Sequence, residues 1–280
     1  MEILTVKSEN SQPDDPINRV SAIIPTRNSA RTIGRCLDSI RKQTYKNIEI
    51  FVIDSFSSDN TSEIASSFNA NVFLLDGERA RAKNFGISKA TGEFLLFIDS
   101  DMILQPQVVE ECVRTWSANR RIVTIIIPER SIGSGFWVRV RDFERKLYEG
   151  SKVESPRFFV KSLVSQVGGF DEEVVAYEES TLPQKLEDIG IDLQDRVTSL
   201  ILHDEEGFNL RKWLDKKRYG GETGKLYSKK YRKNAKMQFS ISYRTRIFLA
   251  NGNWKIIIRH PILSTGVFIL KTLEYIYFFL

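Results

Sequence analysis

Residues 94–101 read FLLFIDSD, an apolar run that stops at two carboxylates one residue apart. Residues 94–98 are aromatic or branched and do not alternate with polar positions, which is how a strand buried on both faces of a parallel sheet reads. Such a strand needs cover on each side, so it commits the chain to layered α/β architecture. In open α/β sheets the ligand crevice lies outside the carboxyl ends of the strands, where Asp99 and Asp101 fall. Two carboxylates this close repel each other unless a cation or a proton lies between them. Hard oxygen ligands on a turn suit Mg²⁺ or Mn²⁺. Taken alone, Asp-Ser-Asp reads more readily as a turn capping the helix that follows Pro106.

The preceding residues supply the rest of such a sheet. Apolar strands are expected at 20–24, 48–53 and 72–75, with a further one at 122–127. Between them, Ile33, Leu37 and Ile40, then Ile64, Ala65 and Phe68, repeat at helical spacing. Residues 78–90 form another helix, carrying Arg79, Arg81, Lys83 and Asn84, with Gly92 as its C-terminal cap. Strands alternating with helices in this way predict a mixed, mostly parallel sheet with helices on both faces. Three strand ends, at residues 25–28, at Asp54 and at Asp99 to Asp101, then line one crevice.

In that order and spacing, SAIIPTRN (21–28), FVIDSFSSDNT (51–61), ARAKNFGISKATGEFLLFIDSDM (80–102) and GGFDEEV (168–174) resemble the donor-binding half of a family 2 glycosyltransferase with the Rossmann-like GT-A fold. The resemblance implies an inverting transfer of one sugar from a UDP- or GDP-sugar. It assigns Pro25, Thr26, Asn28, Asp54, Asp59, Arg81, Asn84, Asp99 and Ser100 to the donor, with Lys83 as further charge against the phosphates. Asp99 and Asp101 would hold Mn²⁺ or Mg²⁺, with His203, one of two histidines, as a further ligand after an expected strand at 197–202. In AYEESTLPQKLEDIG (176–190), Glu179 aligns with the family's catalytic aspartate and Glu178 is its neighbour. One of them, Glu179 first, would take the acceptor's proton. By itself the pair reads as charge complementing a helix dipole. The processive members' Gln-x-x-Arg-Trp is missing, NLRKW standing at 209–213, which disfavours a polymerase.

The remainder departs from a plain catalytic domain. Residues 130–150 are amphipathic and arginine-rich, fitting a lid, an interfacial helix or core packing. From Arg211 to Lys236 eleven Lys or Arg face only Asp215 and Glu222, although the whole chain's net charge is +5. Residues 256–280 are apolar but broken by Arg259, His260, Lys271 and Glu274, too short a run to span a bilayer. A helical, membrane-surface extension over 209–280 is the expectation. The expected divisions are a polar tail (1–18), a catalytic domain (19–207, donor side 19–128, acceptor side 129–207) and the extension (208–280).

Cys36 and Cys112 have no disulfide or metal spacing, and residues 1–19 have no apolar signal core. The expected location is therefore the cytoplasm, peripheral on the inner membrane face, with a lipid-linked acceptor such as a polyprenyl phosphate or a lipid-linked glycan. A soluble glycan or protein acceptor is the alternative. A non-catalytic nucleotide- or RNA-binding module is the rival of another class. No RNA-binding signature accompanies the basic stretch, so nucleic acid is not an expected partner.

Overall fold

The computed structural model describes residues 5–6 and 18–279, so most of the expected tail lies outside the described residues. In chain order the first elements are β1 (Thr5–Val6), β2 (Val20–Thr26), α1 (Ile33–Arg41), β3 (Ile48–Asp54), α2 (Thr61–Ser67), β4 (Asn71–Leu74), α3 (Arg79–Lys89) and β5 (Phe94–Phe97). Next come β6 (Met102–Leu104), α4 (Val108–Ala118), β7 (Thr124–Ile126), β8 (Glu129–Ile132), α5 (Phe136–Tyr148), β9 (Phe158–Val160), α6 (Lys161–Gln166) and α7 (Glu178–Asp188). The last are β10 (Gln194–Arg196), β11 (Ile201–Asp204), α8 (Leu210–Lys230), α9 (Arg232–Phe239), α10 (Ile241–Leu249), α11 (Asn253–Arg259) and α12 (Pro261–Phe279).

The chain forms two compact units. The first comprises Met1–Pro128, Ser155–Glu172 and Glu178–Leu202. Its eight-stranded sheet has the order β1-β4-β3-β2-β5-β9-β7-β10. The β4-β3-β2-β5 run is parallel, β9 is antiparallel to both β5 and β7, and β10 is parallel to β7. Alternate residues of the central strands enter two cores. Val20, Ala22, Ile24, Val52, Phe94, Leu96 and Ile98 face α1, α2 and α4, while Ile23, Phe51, Ile53, Leu95 and Phe97 face α3, α6 and α7. An unbroken apolar run is thus what a strand between two helical layers requires. Register pairs Thr26 with Asp54 and Ile23 with Phe97, so β2, β3 and β5 present their carboxyl ends at one edge.

Two glycines set the spacing of these layers. A Cβ on Gly86 of α3 would lie 2.5 Å from Ile23 Cγ2, so glycine lets this helix approach β2. Gly92 does not cap α3, which ends at Lys89. A Cβ there would meet the Arg19 carbonyl at 2.5 Å, and the Gly92 N–H donates to Ser21 Oγ and to Glu49 Oε1 (both 3.0 Å).

The second unit comprises Glu129–Glu154, Glu173–Tyr177 and His203–Leu280. Residues 129–154 group with the C-terminal helices, a different division from the one the sequence suggested. The reason is a shared core: Val140, Phe143 and Leu147 of α5 pack with Val267 and Leu270 of α12. A smaller cluster joins Val174 to Tyr227, Tyr231 and Ala235. Beside the larger core runs an ion network. Arg141 pairs with Glu144 (2.7 Å) and Glu205 (3.3 Å), Lys271 pairs with Glu144 and with Glu274 (2.7 Å), and Trp213 Nε1–H donates to Glu274 (2.7 Å). Lys271 and Glu274, which interrupt the apolar run in the sequence, therefore face inward.

Candidate active site

The loops after β2 and β3 are tied to each other. Asn28, in the left-handed region at φ 50°, accepts the Ser58 N–H at 2.8 Å and donates its own N–H to Ser57 Oγ at 2.8 Å. Asp54 is buried, and its carboxylate accepts from Ser57 N–H (3.3 Å), Ser57 Oγ (2.5 Å) and Ser62 Oγ (2.5 Å). Asp59 accepts from Ala30 N–H (3.1 Å) and from the Thr61 hydroxyl and N–H, which hold its carboxyl below the ordinary range. Asp54 and Asp59 thus organise their own loops, which shapes the edge of the sheet. Pro25 sits within β2, paired with Ile53, and the neighbouring Thr26 hydroxyl is buried without a hydrogen-bond partner among the described residues.

The Asp-Ser-Asp turn leaves β5 at this edge. Ser100 Oγ donates to Ser29 Oγ (2.8 Å), Asp99 N–H meets Met102 Sδ (3.4 Å), and the Cys36 thiol points at the Asp99 carbonyl (3.6 Å). Burial, then the charges of Asp101 and Asp99, push the Cys36 thiol well up, so Cys36 stays a neutral floor beneath both carboxylates. The Asp99 carboxylate lies 3.4 Å from Arg157 Nη2. Arg157 arrives there because β9 runs antiparallel to β5, and its carbonyl accepts the Phe97 N–H at 2.9 Å.

A second acidic pair belongs to the same cluster. Glu178 opens α7 buried, its Oε1 3.3 Å from Arg79 Nε and 3.4 Å from Lys83 Nζ, while its Oε2 has no hydrogen-bond partner among the described residues. Arg79 and Lys83 share one face of α3 at i, i+4 spacing. The Arg79 guanidinium is held well above its ordinary pKa by Glu178 first, against burial, and then by Asp99 and Glu179. Arg79 therefore bridges electrostatically between the Asp-Ser-Asp turn and the acidic pair. Burial, followed by the charge of Glu179, pushes Glu178 up to about 7. Burial also acts to raise Glu179, but the neighbouring Glu178 carboxyl and the charges of Arg79 and Lys83 hold it below the ordinary range. Glu179 is therefore the carboxylate that stays ionised, beside a partner that holds its proton more tightly than an ordinary glutamate.

Other expected residues are placed differently. Lys83 is buried against Glu178 and under the Phe170 ring (5.0 Å), so its charge is committed to the acidic pair. Arg81, two positions along α3, is exposed. The Asn84 side chain is taken up by the glycine turn after α6: it donates to the Phe170 carbonyl (3.0 Å) and Glu172 (2.9 Å), and accepts the Phe170 N–H (2.8 Å). His203 lies within β11, in the other unit, with Nδ1 2.6 Å from Arg145 Nη2 and 3.7 Å from Glu129. Among the described residues no three His, Cys, Asp or Glu side chains gather as a metal site. Asp99 and Asp101 remain as a pair of hard oxygen donors. That fits a Mg²⁺ or Mn²⁺ ion held by one or two carboxylates and completed by phosphates and water.

Arg79 and Arg157 are the members not singled out from sequence. For Arg79 a signal exists: α3 has no acid in its first turn and opens Arg-Ala-Arg, against the helix dipole. Arg157 has none, because only the antiparallel register of β9 brings it to Asp99.

Residues 21–171 match Glycosyl transferase family 2. Glycosyltransferase GlyG of Streptococcus pneumoniae serotype 4 is 39% identical over 98 residues, 32% of this chain and 33% of that protein. The UDP-Glc:alpha-D-GlcNAc-diphosphoundecaprenol beta-1,3-glucosyltransferase WfgD of Escherichia coli is 39% identical over 89 residues, 30% of this chain and 35% of that protein. Each match therefore takes in about a third of the curated relative. Among solved structures, mannosyltransferase PcManGT from Pyrobaculum calidifontis, in complex with GDP-Man and Mn²⁺, superposes with a TM-score of 0.60 at 18% identity, over 96% of this chain and 88% of that one. The shared architecture is the GT-A fold, a central mostly parallel sheet flanked by helices. With more than half of its length matched, the chain belongs to the family 2 glycosyltransferases.

Proposed function

We propose that this protein transfers a single hexosyl group from a UDP- or GDP-sugar to a hydroxyl acceptor, inverting the anomeric carbon. The observation that carries the reading is the clustering of Asp99, Arg157, Arg79, Glu178 and Glu179 at the carboxyl edge of parallel strands, the ligand edge of such sheets. Asp99 and Asp101 would hold Mn²⁺ or Mg²⁺, which when bound neutralises the donor diphosphate. Thr26, whose buried hydroxyl has no partner among the described residues, would face the nucleoside, and the loops built on Asn28, Asp54 and Asp59 would frame it. Ser100 holds the turn in place through Ser29. The acceptor oxygen forms a bond to the anomeric carbon as the bond to the nucleoside diphosphate breaks on the opposite face, and Glu179 takes the acceptor proton. Glu178, ion-paired to Arg79 and Lys83, positions Glu179. Arg79 and Arg157 counter the negative charge that a donor brings.

A lipid-linked acceptor is the reading we favour, supported by the similarity to WfgD, whose name specifies a diphosphoundecaprenol acceptor, and by the basic, apolar C-terminal region. The test is release of nucleoside diphosphate, with lipid-linked glycans or soluble glycans supplied as acceptor. Turnover with the lipid-linked acceptors is expected. Glu179→Gln should slow it by about 100-fold or more with donor affinity unchanged. A full-rate Glu179→Gln variant removes Glu179 as the base, and turnover with soluble glycans alone removes the lipid acceptor.

A further inference from the structure

Helix α12 is inside out. Its charged residues, Lys271 and Glu274, turn inward to Glu144, Trp213 and each other, while its solvent side carries Ile262, Phe268, Ile269, Tyr275 and Ile276. Ile262 and Phe268 are 74% and 73% exposed, more than any other large apolar side chain described. These positions recur at six and seven residues, and Thr265 and Thr272, also exposed and three or four residues from their neighbours, complete one stripe without adding charge. From 262 to 276 the stripe runs about 21 Å. A helix that faces water normally shows the opposite pattern. The adjoining α11 exposes Trp254 and Ile258, one turn apart, and α10 exposes Ile241 and Leu249.

Three further observations identify what covers this face. Arg246, Lys255 and Arg259 are exposed on α10 and α11, with Lys255 Nζ stacked 5.6 Å over the Trp254 ring. Residues 208–280 hold sixteen Lys or Arg against three Asp or Glu, in a chain whose net charge is only +5. Among the described residues no single helix is long and apolar enough to cross a membrane, and α11 and α12 qualify only together, bent by 109°. An uncharged stripe beside cations and an exposed tryptophan fits the interface of an anionic bilayer: the apolar side chains enter the acyl boundary, and the basic ones meet the headgroups. A second copy of this chain would bring the same excess of positive charge to the contact, which disfavours it.

We propose that the outward faces of α11 and α12 form a docking surface for anionic phospholipid membranes, with the helices lying in the plane of the interface. The proposal does not rest on glycosyl transfer, because vesicle binding requires no donor. The test is cosedimentation of the full chain with phosphatidylcholine vesicles, with and without phosphatidylglycerol. Binding is expected to the anionic vesicles, to fall with added salt, and to drop about tenfold or more in Lys255→Glu/Arg259→Glu, since each cation near such a surface accounts for about fivefold. Ile262→Glu/Ile269→Glu, at exposed positions that leave both cores intact, should abolish it. Tryptophan fluorescence should shift blue on vesicle addition and lose most of that shift in Trp254→Phe. Three results overturn the proposal: no binding to either vesicle, undiminished binding by Ile262→Glu/Ile269→Glu, or a dimer in light scattering that the same double substitution dissociates while vesicles are not bound.

Discussion

Glu178 and Glu179 are adjacent in sequence but differ in what surrounds them. Glu178 is the deeper, and burial together with its neighbour's charge raises it to about 7, above the 4.5 of an ordinary glutamate. Between those pH values the folded protein holds a proton there that the unfolded chain has released. Stability from this group is therefore fully present below about pH 4.5 and is lost as pH rises through 7. The depressed pKa of Glu179 acts in the opposite sense, at and below the ordinary carboxylate range, so of the two glutamates Glu178 is the one that acts between pH 5 and 8. Across that window unfolding free energy should fall by on the order of 2 kcal/mol through Glu178, and Glu178→Gln should flatten the slope. Urea denaturation at several pH values measures it, and an identical slope in wild type and variant would contradict the assignment. At this scale the sequence was only partly legible. FLLFIDSD and the acidic pair mark chemistry by residue type, but the burial that separates Glu178 from Glu179 is a tertiary property. The same holds for Asn84 and Lys83, which read as donor contacts and are instead spent on Phe170 with Glu172 and on Glu178.

Among the elements, the contact between α3 and β2 matters most for the site, because α3 carries Arg79 and β2 carries Thr26. Gly86 permits that contact. Gly86→Ala sets a methyl group 2.5 Å from Ile23 Cγ2, so the helix or the strand must move. A loss of about 1–3 kcal/mol is expected from overpacking despite alanine's better helix propensity. Thermal unfolding checks it, and an equal or higher melting temperature would show that α3 can shift freely. The strands and helices of the α/β half were legible because period and burial agree: β2, β3 and β5 are apolar throughout, as strands between two helical layers must be. Less legible was the stretch around His203, where the strand is Ile201–Asp204 and so includes the histidine instead of ending before it. Residues 197–200 are apolar or small enough to read as strand. They form a loop anchored by Glu111, which accepts from Thr198 and Ser199 N–H groups and hydroxyls. A side chain 87 residues away decides that local structure.

At the level of the whole molecule, charge is unevenly divided along the chain. Residues 1–207 carry more acid than base and hold the carboxylate cluster, while 208–280 hold the large basic excess. The second unit is not a sequence-contiguous extension, since α5 supplies half of its larger core. Amphipathicity within residues 130–150 was visible, but its partner lies more than a hundred residues on, and no local pattern names it. On the proposed function, the carboxyl edge of the sheet binds a nucleotide sugar through Asp99 and Asp101. The most direct test is thermal stabilisation by UDP- and GDP-sugars with Mn²⁺ or with EDTA, in wild type and Asp101→Asn, because a ligand bound only by the folded state raises its stability. The account predicts a shift with one nucleotide family that needs Mn²⁺ and disappears in Asp101→Asn, whose melting temperature without ligand is unchanged. No shift with any donor, or one indifferent to both EDTA and the substitution, would contradict it.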